Sequence, residues 1–193
     1  MHNDLRMKKL SLLFGVALLS HGLNAAELKG VTYDDSMKVG EKTLNLNGLG
    51  MRLATIFNVK VYVAALYVPE KANSFEKIAS QKGEKVLIMH FMRDVGREKL
   101  SEAIIDGFQK ACVEDECKMF EEQAKQFSEL QPEVKDGQRL RYDFSAEGVS
   151  ATLDDKMLGK VVGAGLDAIM LRVWVGDNPP NKELKQGLLG LES

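Results

Sequence analysis

The sequence predicts an α+β domain, a mainly antiparallel sheet with helices packed on it. Strand-like segments come in runs, and so do helix-like segments, rather than alternating. In Lys60–Val68 (KVYVAALYV) both alternating sets of side chains are largely apolar, the mark of a central strand covered on both faces. Leu100, Ile104, Phe108 and Cys112 recur at four-residue steps, and Phe120, Ala124, Phe127 and Leu130 at steps of four and three within the next segment, which marks two amphipathic helices.

The chain opens with a leader pattern. Arg6, Lys8 and Lys9 give a basic start, Leu10–Ser20 is an apolar run, and Asn24, Ala25 and Ala26 supply small residues. That order predicts a cleaved secretory signal over residues 1–26, with cleavage after Ala25 or Ala26. The run is too short for a bilayer core, which needs about 20 residues. No later segment is long and apolar enough to span, so no integral membrane segment is expected after cleavage. Residues 27–193 then form one domain, large enough to bury a real core.

Within that domain, Val31–Lys38 and Glu41–Asn47 read as a hairpin turning at Gly40. Asn47-Gly48-Leu49-Gly50 reads as a turn cluster ahead of the apolar stretch Met51–Val68, which Pro69 ends. Ser74–Ser80 is a short helix capped by Asn73 or Ser74. Val86–Arg93 is a second buried strand, and the two amphipathic helices follow it. Pro132 and Gly137 break the chain before two strands, Leu140–Phe144 and Val149–Leu153, which turn at Glu147-Gly148. A third long helix uses Leu166, Ile169, Met170 and Val173. Asp177-Asn178-Pro179-Pro180 stops it, and a short helix starts at Asn181.

Composition narrows the function. The formal net charge is -2 with mixed signs, which leaves no basic footprint for nucleic acid. Without the leader, His90 is the single histidine, so a multi-histidine zinc site is excluded and a histidine base must be His90. No metal or cofactor is expected. Gly48-Leu49-Gly50 lacks the third glycine of a dinucleotide loop, and there is neither a phosphate loop of the GxxxxGK[ST] kind nor a GxSxG elbow. Carboxylates such as Glu121-Glu122 and Asp154-Asp155 read as solvated surface.

In an oxidising compartment Cys112 and Cys117 read first as a disulfide, with two free thiols or a redox pair as the other readings. On one continuous helix they would point about 140° apart, so a bridge requires the helix to break. Val113–Glu116 can supply that break, with Glu114 or Asp115 starting the next helix.

Three polar residues interrupt apolar strands: Arg52, Tyr62 and His90. An arginine entering a sheet interior needs an anion, whether a neighbouring carboxylate or a ligand. Tyr62 and His90 could be satisfied core residues, or could carry a function.

LNGLGMRLATIFNVKVYVAALYVPEK resembles the opening of the chalcone isomerase-like family, in particular its exported bacterial branch. IMHFMRDVGREKLSEAIIDGF and LRVWVGDNPPNKELKQGLLG resemble that branch's other signature segments, in order. The resemblance runs from Leu28 to Gly190 and implies an open-faced β-sandwich, a long antiparallel sheet backed by helices with a ligand cleft between. In the plant enzymes, which cyclise chalcones, an arginine at the position of Arg52 stabilises the phenolate. A threonine, a tyrosine and an asparagine of those enzymes fall at Tyr62, near Gly96 and near Ala103. Non-catalytic relatives bind fatty acids, and in them an arginine and often a tyrosine hold the carboxylate. The resemblance therefore implies a periplasmic binder of a small amphipathic anion such as a fatty acid, held by Arg52 and Tyr62. The alternatives are an isomerase using Arg52, Tyr62 and, if it faces the cleft, His90, or an envelope protein whose cleft is filled by Met51, Met89, Met92 and aromatic residues.

Overall fold

A computed structural model describes residues 25–54 and 57–191. Residues 1–24 of the predicted leader, 1–26, lie outside them; the expected cleavage points, after Ala25 or Ala26, fall at the start of the first strand. That strand, β1 (Ala25–Leu28), pairs with β2 (Val31–Asp34) across a turn at Lys29-Gly30.

The remaining strands form one seven-stranded antiparallel meander in chain order. They are β3 (Ser36–Val39), β4 (Lys42–Ala54), β5 (Val59–Val68), β6 (Lys85–Phe91), β7 (Arg139–Ser145), β8 (Gly148–Leu153) and β9 (Lys156–Val162). Five helices complete the chain: α1 (Phe75–Ala79), α2 (Arg97–Ala111), α3 (Glu114–Glu129), α4 (Leu166–Val175) and α5 (Lys182–Leu188).

Both faces of the sheet are covered, as the composition of β5 requires. Tyr62, Ala64, Leu66 and Val68 join the large core under the helices, with Phe91, Phe127, Leu140 and Met170. Val63, Ala65 and Tyr67 join a smaller core with Val31, Tyr33, Leu44 and Val86, under the β1–β2 ribbon. Helix α4 is buried nearly all round, from Leu166 to Val175, and sits at the centre of the helical layer.

Two expectations are corrected. Val31–Lys38 is not one strand: the chain changes partner at Asp35, whose carbonyl accepts from Leu46 N (2.8 Å), so only Ser36–Val39 pairs with β4. Asn47–Gly50 is not a turn but the middle of β4. A Cβ at Gly48 would lie 2.1 Å from the Gly187 carbonyl oxygen, and one at Gly50 2.3 Å from that of Leu184. These glycines let α5 lie on the strand at backbone distance. Strand β9 carries no clear strand pattern in the sequence: a register shift beside Thr152 breaks its alternation, and Gly159 sits under Leu130 where a Cβ would clash.

The helix break between the cysteines falls where the sequence places it. Cys112 ends α2, α3 starts at Glu114, and Cys112 and Cys117 are bonded with Cα atoms 5.3 Å apart. Glu116 accepts from Val113 N (3.0 Å), and Arg172 of α4 donates both to Glu116 (2.7 Å) and to the Ala111 carbonyl (3.1 Å). One arginine thus holds the end of α2 and the start of α3 together. This pairing keeps the Glu116 carboxyl below its ordinary value, with the Arg172 hydrogen bond as the main cause.

Candidate functional site

Gly48, Gly50 and Arg52 alternate along β4 and share one face. The first two lie beneath α5, and Arg52 lies beyond it, where the helical layer stands away from the sheet. Asn181, the cap of α5, fixes this point: its Nδ2 donates to the Met51 carbonyl (3.1 Å) and its Oδ1 accepts from Leu53 N (3.3 Å). The backbone on either side of Arg52 is thereby held.

Arg52 faces Tyr62 across the β4–β5 pairing. Lys60 pairs with Leu53, so Val61 is an extra residue, and this bulge turns both Val61 and Tyr62 toward the helices. Tyr62 is buried, its ring is edge-on to Phe91 (5.4 Å), and its hydroxyl accepts from Trp174 Nε1 (3.2 Å). Among the described residues no acceptor takes the Tyr62 proton. Burial raises the Tyr62 hydroxyl to about 12, against the opposing pull of the Trp174 bond and the Arg52 charge. At neutral pH it is a hydrogen-bond donor, not a phenolate.

Arg52 is half-buried and donates to the Leu53 carbonyl. No carboxylate lies within ion-pair distance of it among the described residues. The reading of Arg52 as half of a structural ion pair therefore does not describe this fold.

These residues line a cavity of ≈ 500 Å³ between the sheet and helices α2 and α4. Met89, Phe91 and Leu140 form its floor, and Leu100, Ile104 and Val173 its helical wall. Tyr142 also lines it, but that hydroxyl is already used: it donates to Gln131 Oε1, and Gln131 Nε2 donates to the Phe127 carbonyl (2.8 Å). Arg52, Arg93, Lys99 and Lys110 stand on the lining together with Asp94 and Asp106. Both acids have partners, Asp106 with Lys110 (2.6 Å) and Asp94 with Lys135 (3.3 Å). The site thus combines an apolar interior, one buried hydroxyl donor and several cations.

The cavity disposes of the expectation of a filled cleft. Met51 and Met92 pack into the smaller core on the other face, and only Met89 reaches the cavity, as part of its floor. His90 also belongs to the other face. It alternates with Leu87, Met89 and Phe91, pairs with Val63 and Arg139, and does not line the cavity. Its Nδ1 is buried without a hydrogen-bond partner, and burial followed by the Arg139 charge lowers its proton affinity. Gly96 and Ala103 both line the cavity, and neither brings a polar side-chain atom. Trp174, Asn181, Arg93 and Lys99 were not singled out by sequence reasoning. A tryptophan on an apolar helix and lysines on a polar face give no separate signal.

No cluster of three or more His, Cys, Asp or Glu side chains suited to a metal occurs among the described residues. No described helix is long and apolar enough to cross a membrane.

A meander sheet with helices on one face, and between them an apolar cavity lined by a few polar side chains, defines the architecture. The chain belongs to the chalcone isomerase-like family, whose model matches residues 25–190. The crystal structure of a fatty-acid binding protein of Arabidopsis thaliana is similar, with a TM-score of 0.63 at 15% identity. The match covers 86% of this chain and 96% of that one. At such identity the likeness establishes the fold. No curated protein matches the sequence.

Proposed function

We propose that the protein is a non-catalytic binder of a small amphipathic anion such as a fatty acid. Its carboxylate meets Arg52 and the Tyr62 hydroxyl, and its chain lies over Met89, Phe91 and Leu140. The observation that carries this reading is the Arg52–Tyr62 pair, which among the described residues is an arginine without a carboxylate beside a hydroxyl without an acceptor, in a largely apolar cavity. A volume of ≈ 500 Å³ is ordinary for a small-molecule site. The fatty-acid binding protein of the same fold supports the reading. So do Gly96 and Ala103, which leave the ketone of a chalcone without the tyrosine and asparagine that the resemblance calls for. Calorimetric titration with a panel of fatty acids tests it. Arg52→Ala should weaken binding by about 10- to 100-fold, the cost of one charge-assisted contact. Binding by neither protein, or binding unchanged in the variant, refutes the assignment.

The reading includes export to the periplasm behind a cleaved leader. The leader pattern supports it, and so does the Cys112–Cys117 bond, of a kind that persists in oxidising compartments. N-terminal sequencing of protein recovered from the periplasm should begin at Ala26 or Glu27. An N-terminus at Met1 rules out processing.

A further inference from the structure

The mouth of the cavity carries a feature that ligand binding alone does not require. Ala54 and Val59 line the cavity at the end of the β4–β5 hairpin, and between them Phe57 is 81% exposed. Asn58 takes the left-handed conformation (φ 51°) that closes the hairpin. An exposed phenylalanine is unremarkable on a surface. Here its neighbours differ from the rest of the molecule.

The chain carries a formal net charge of -2, yet Arg52, Arg93, Lys99 and Lys110 gather around one opening. Of the two acids there, Asp106 is paired with Lys110, and Asp94 is held by Lys135, which is not on the lining. Arg93 and Lys99 are exposed and have no carboxylate within ion-pair distance among the described residues. An acidic protein thus presents a basic rim, with an exposed aromatic ring on the adjoining hairpin, at the entrance to an apolar cavity. An aromatic ring favours the boundary between headgroups and acyl chains, and cations near it are drawn to anionic headgroups.

We propose that this mouth docks on an anionic phospholipid membrane. Phe57 enters the headgroup–acyl boundary and Arg93 and Lys99 face the lipid phosphates, so that the ligand passes between bilayer and cavity without crossing water. The transfer rests on the fatty-acid reading above; the docking itself does not.

The test is co-sedimentation of the protein purified from the periplasm with two kinds of vesicle. One is phosphatidylglycerol and phosphatidylcholine in equal parts, the other phosphatidylcholine alone. The protein should pellet with the first, remain in solution with the second, and be released by high salt, which screens the rim. Arg93→Glu/Lys99→Glu should lower partitioning by about tenfold or more. Phe57→Ser should lower it by about threefold while leaving the affinity for palmitate, titrated without vesicles, unchanged. Wild-type protein that stays in solution with anionic vesicles overturns the proposal, as do variants that pellet like wild type. Docking without palmitate binding would overturn the fatty-acid reading and leave the docking site standing. Palmitate binding without docking would do the reverse.

Discussion

The two ends of the helical layer meet the same strand in opposite ways. Under α5, Gly48 and Gly50 of β4 face the backbone of Leu184–Leu188, and Gly187 returns the contact, with its own Cβ position 2.1 Å from the Leu49 carbonyl oxygen. Two residues further along the same face, Arg52 and its cross-strand neighbour Tyr62 stand beside a cavity of ≈ 500 Å³. The cross-strand partners follow suit: Ala64 lies opposite Gly50, and Tyr62 opposite Arg52. One run, Gly48-Leu49-Gly50-Met51-Arg52, therefore clamps a helix at one end and opens onto a cavity at the other. The clamp positions the site, because α5 begins at Asn181, which holds the backbone on both sides of Arg52.

The comparison is broken most severely at the clamp. Gly48→Val places a side chain where a backbone carbonyl already sits, and neither backbone can yield as a flexible side chain would. We expect a loss of about 3 kcal/mol, at the upper end of the usual cost of overpacking, read as a lower urea midpoint. Because Asn181 caps α5, the proposed affinity for fatty acid should fall in the same variant although Gly48 does not line the cavity. An unchanged midpoint would mean that the seam is slack.

The wall of the open end gives the next largest effect. Helix α2 faces the cavity through Leu100 and Ile104, and its last turn is fixed by the disulfide and by Arg172. Replacing both Cys112 and Cys117 by alanine should cost about 2 kcal/mol, the chain-entropy value for so short a loop. Hydrogen exchange should quicken in the last turn of α2 and the first turn of α3, while the β4–α5 seam keeps its protection. Equal quickening at both ends would show that the helical layer opens as one unit.

The same contrast explains what could be read from the sequence. Burial on both faces of β5 was legible, because alternation in KVYVAALYV leaves no polar set. The helix break at Val113 was legible as well, because a bridge between cysteines five positions apart cannot form on one continuous helix. The glycines of β4 were misread as a turn. Glycine signals a special backbone need without saying which, and here the need came from Gly187, far away in the chain. Arg52 and Tyr62 could be nominated because polar residues on apolar strands require a partner. Trp174, which donates to Tyr62, and the cations of α2 could not, since only the packing of α4 and α2 against the sheet makes them neighbours. Strand β9 was hidden by its bulge.

The smallest expected effect separates the two faces of the sheet. His90 is the polar residue the cavity does not use. Burial, and after it the Arg139 charge, lowers its proton affinity from the ordinary 6.5, while Asp136 opposes them. Below that pH the unfolded chain therefore binds more protons than the folded one, so stability from this source is complete above 6.5 and declines as pH falls. Glu116, held below its ordinary 4.5, contributes its own loss only under that value, so the interval between the two belongs to His90. In His90→Leu, which also removes the unpartnered Nδ1, the decline over that interval should flatten while the steeper loss at lower pH remains. Urea midpoints measured across the interval check this. The proposed fatty-acid affinity should match wild type in the variant, because His90 lies across the sheet from Arg52 and Tyr62. If His90→Leu weakened the ligand, the strands β5 and β6 would be passing a change from one face to the other, and the cavity could not be treated as a site built by the helix-bearing face alone.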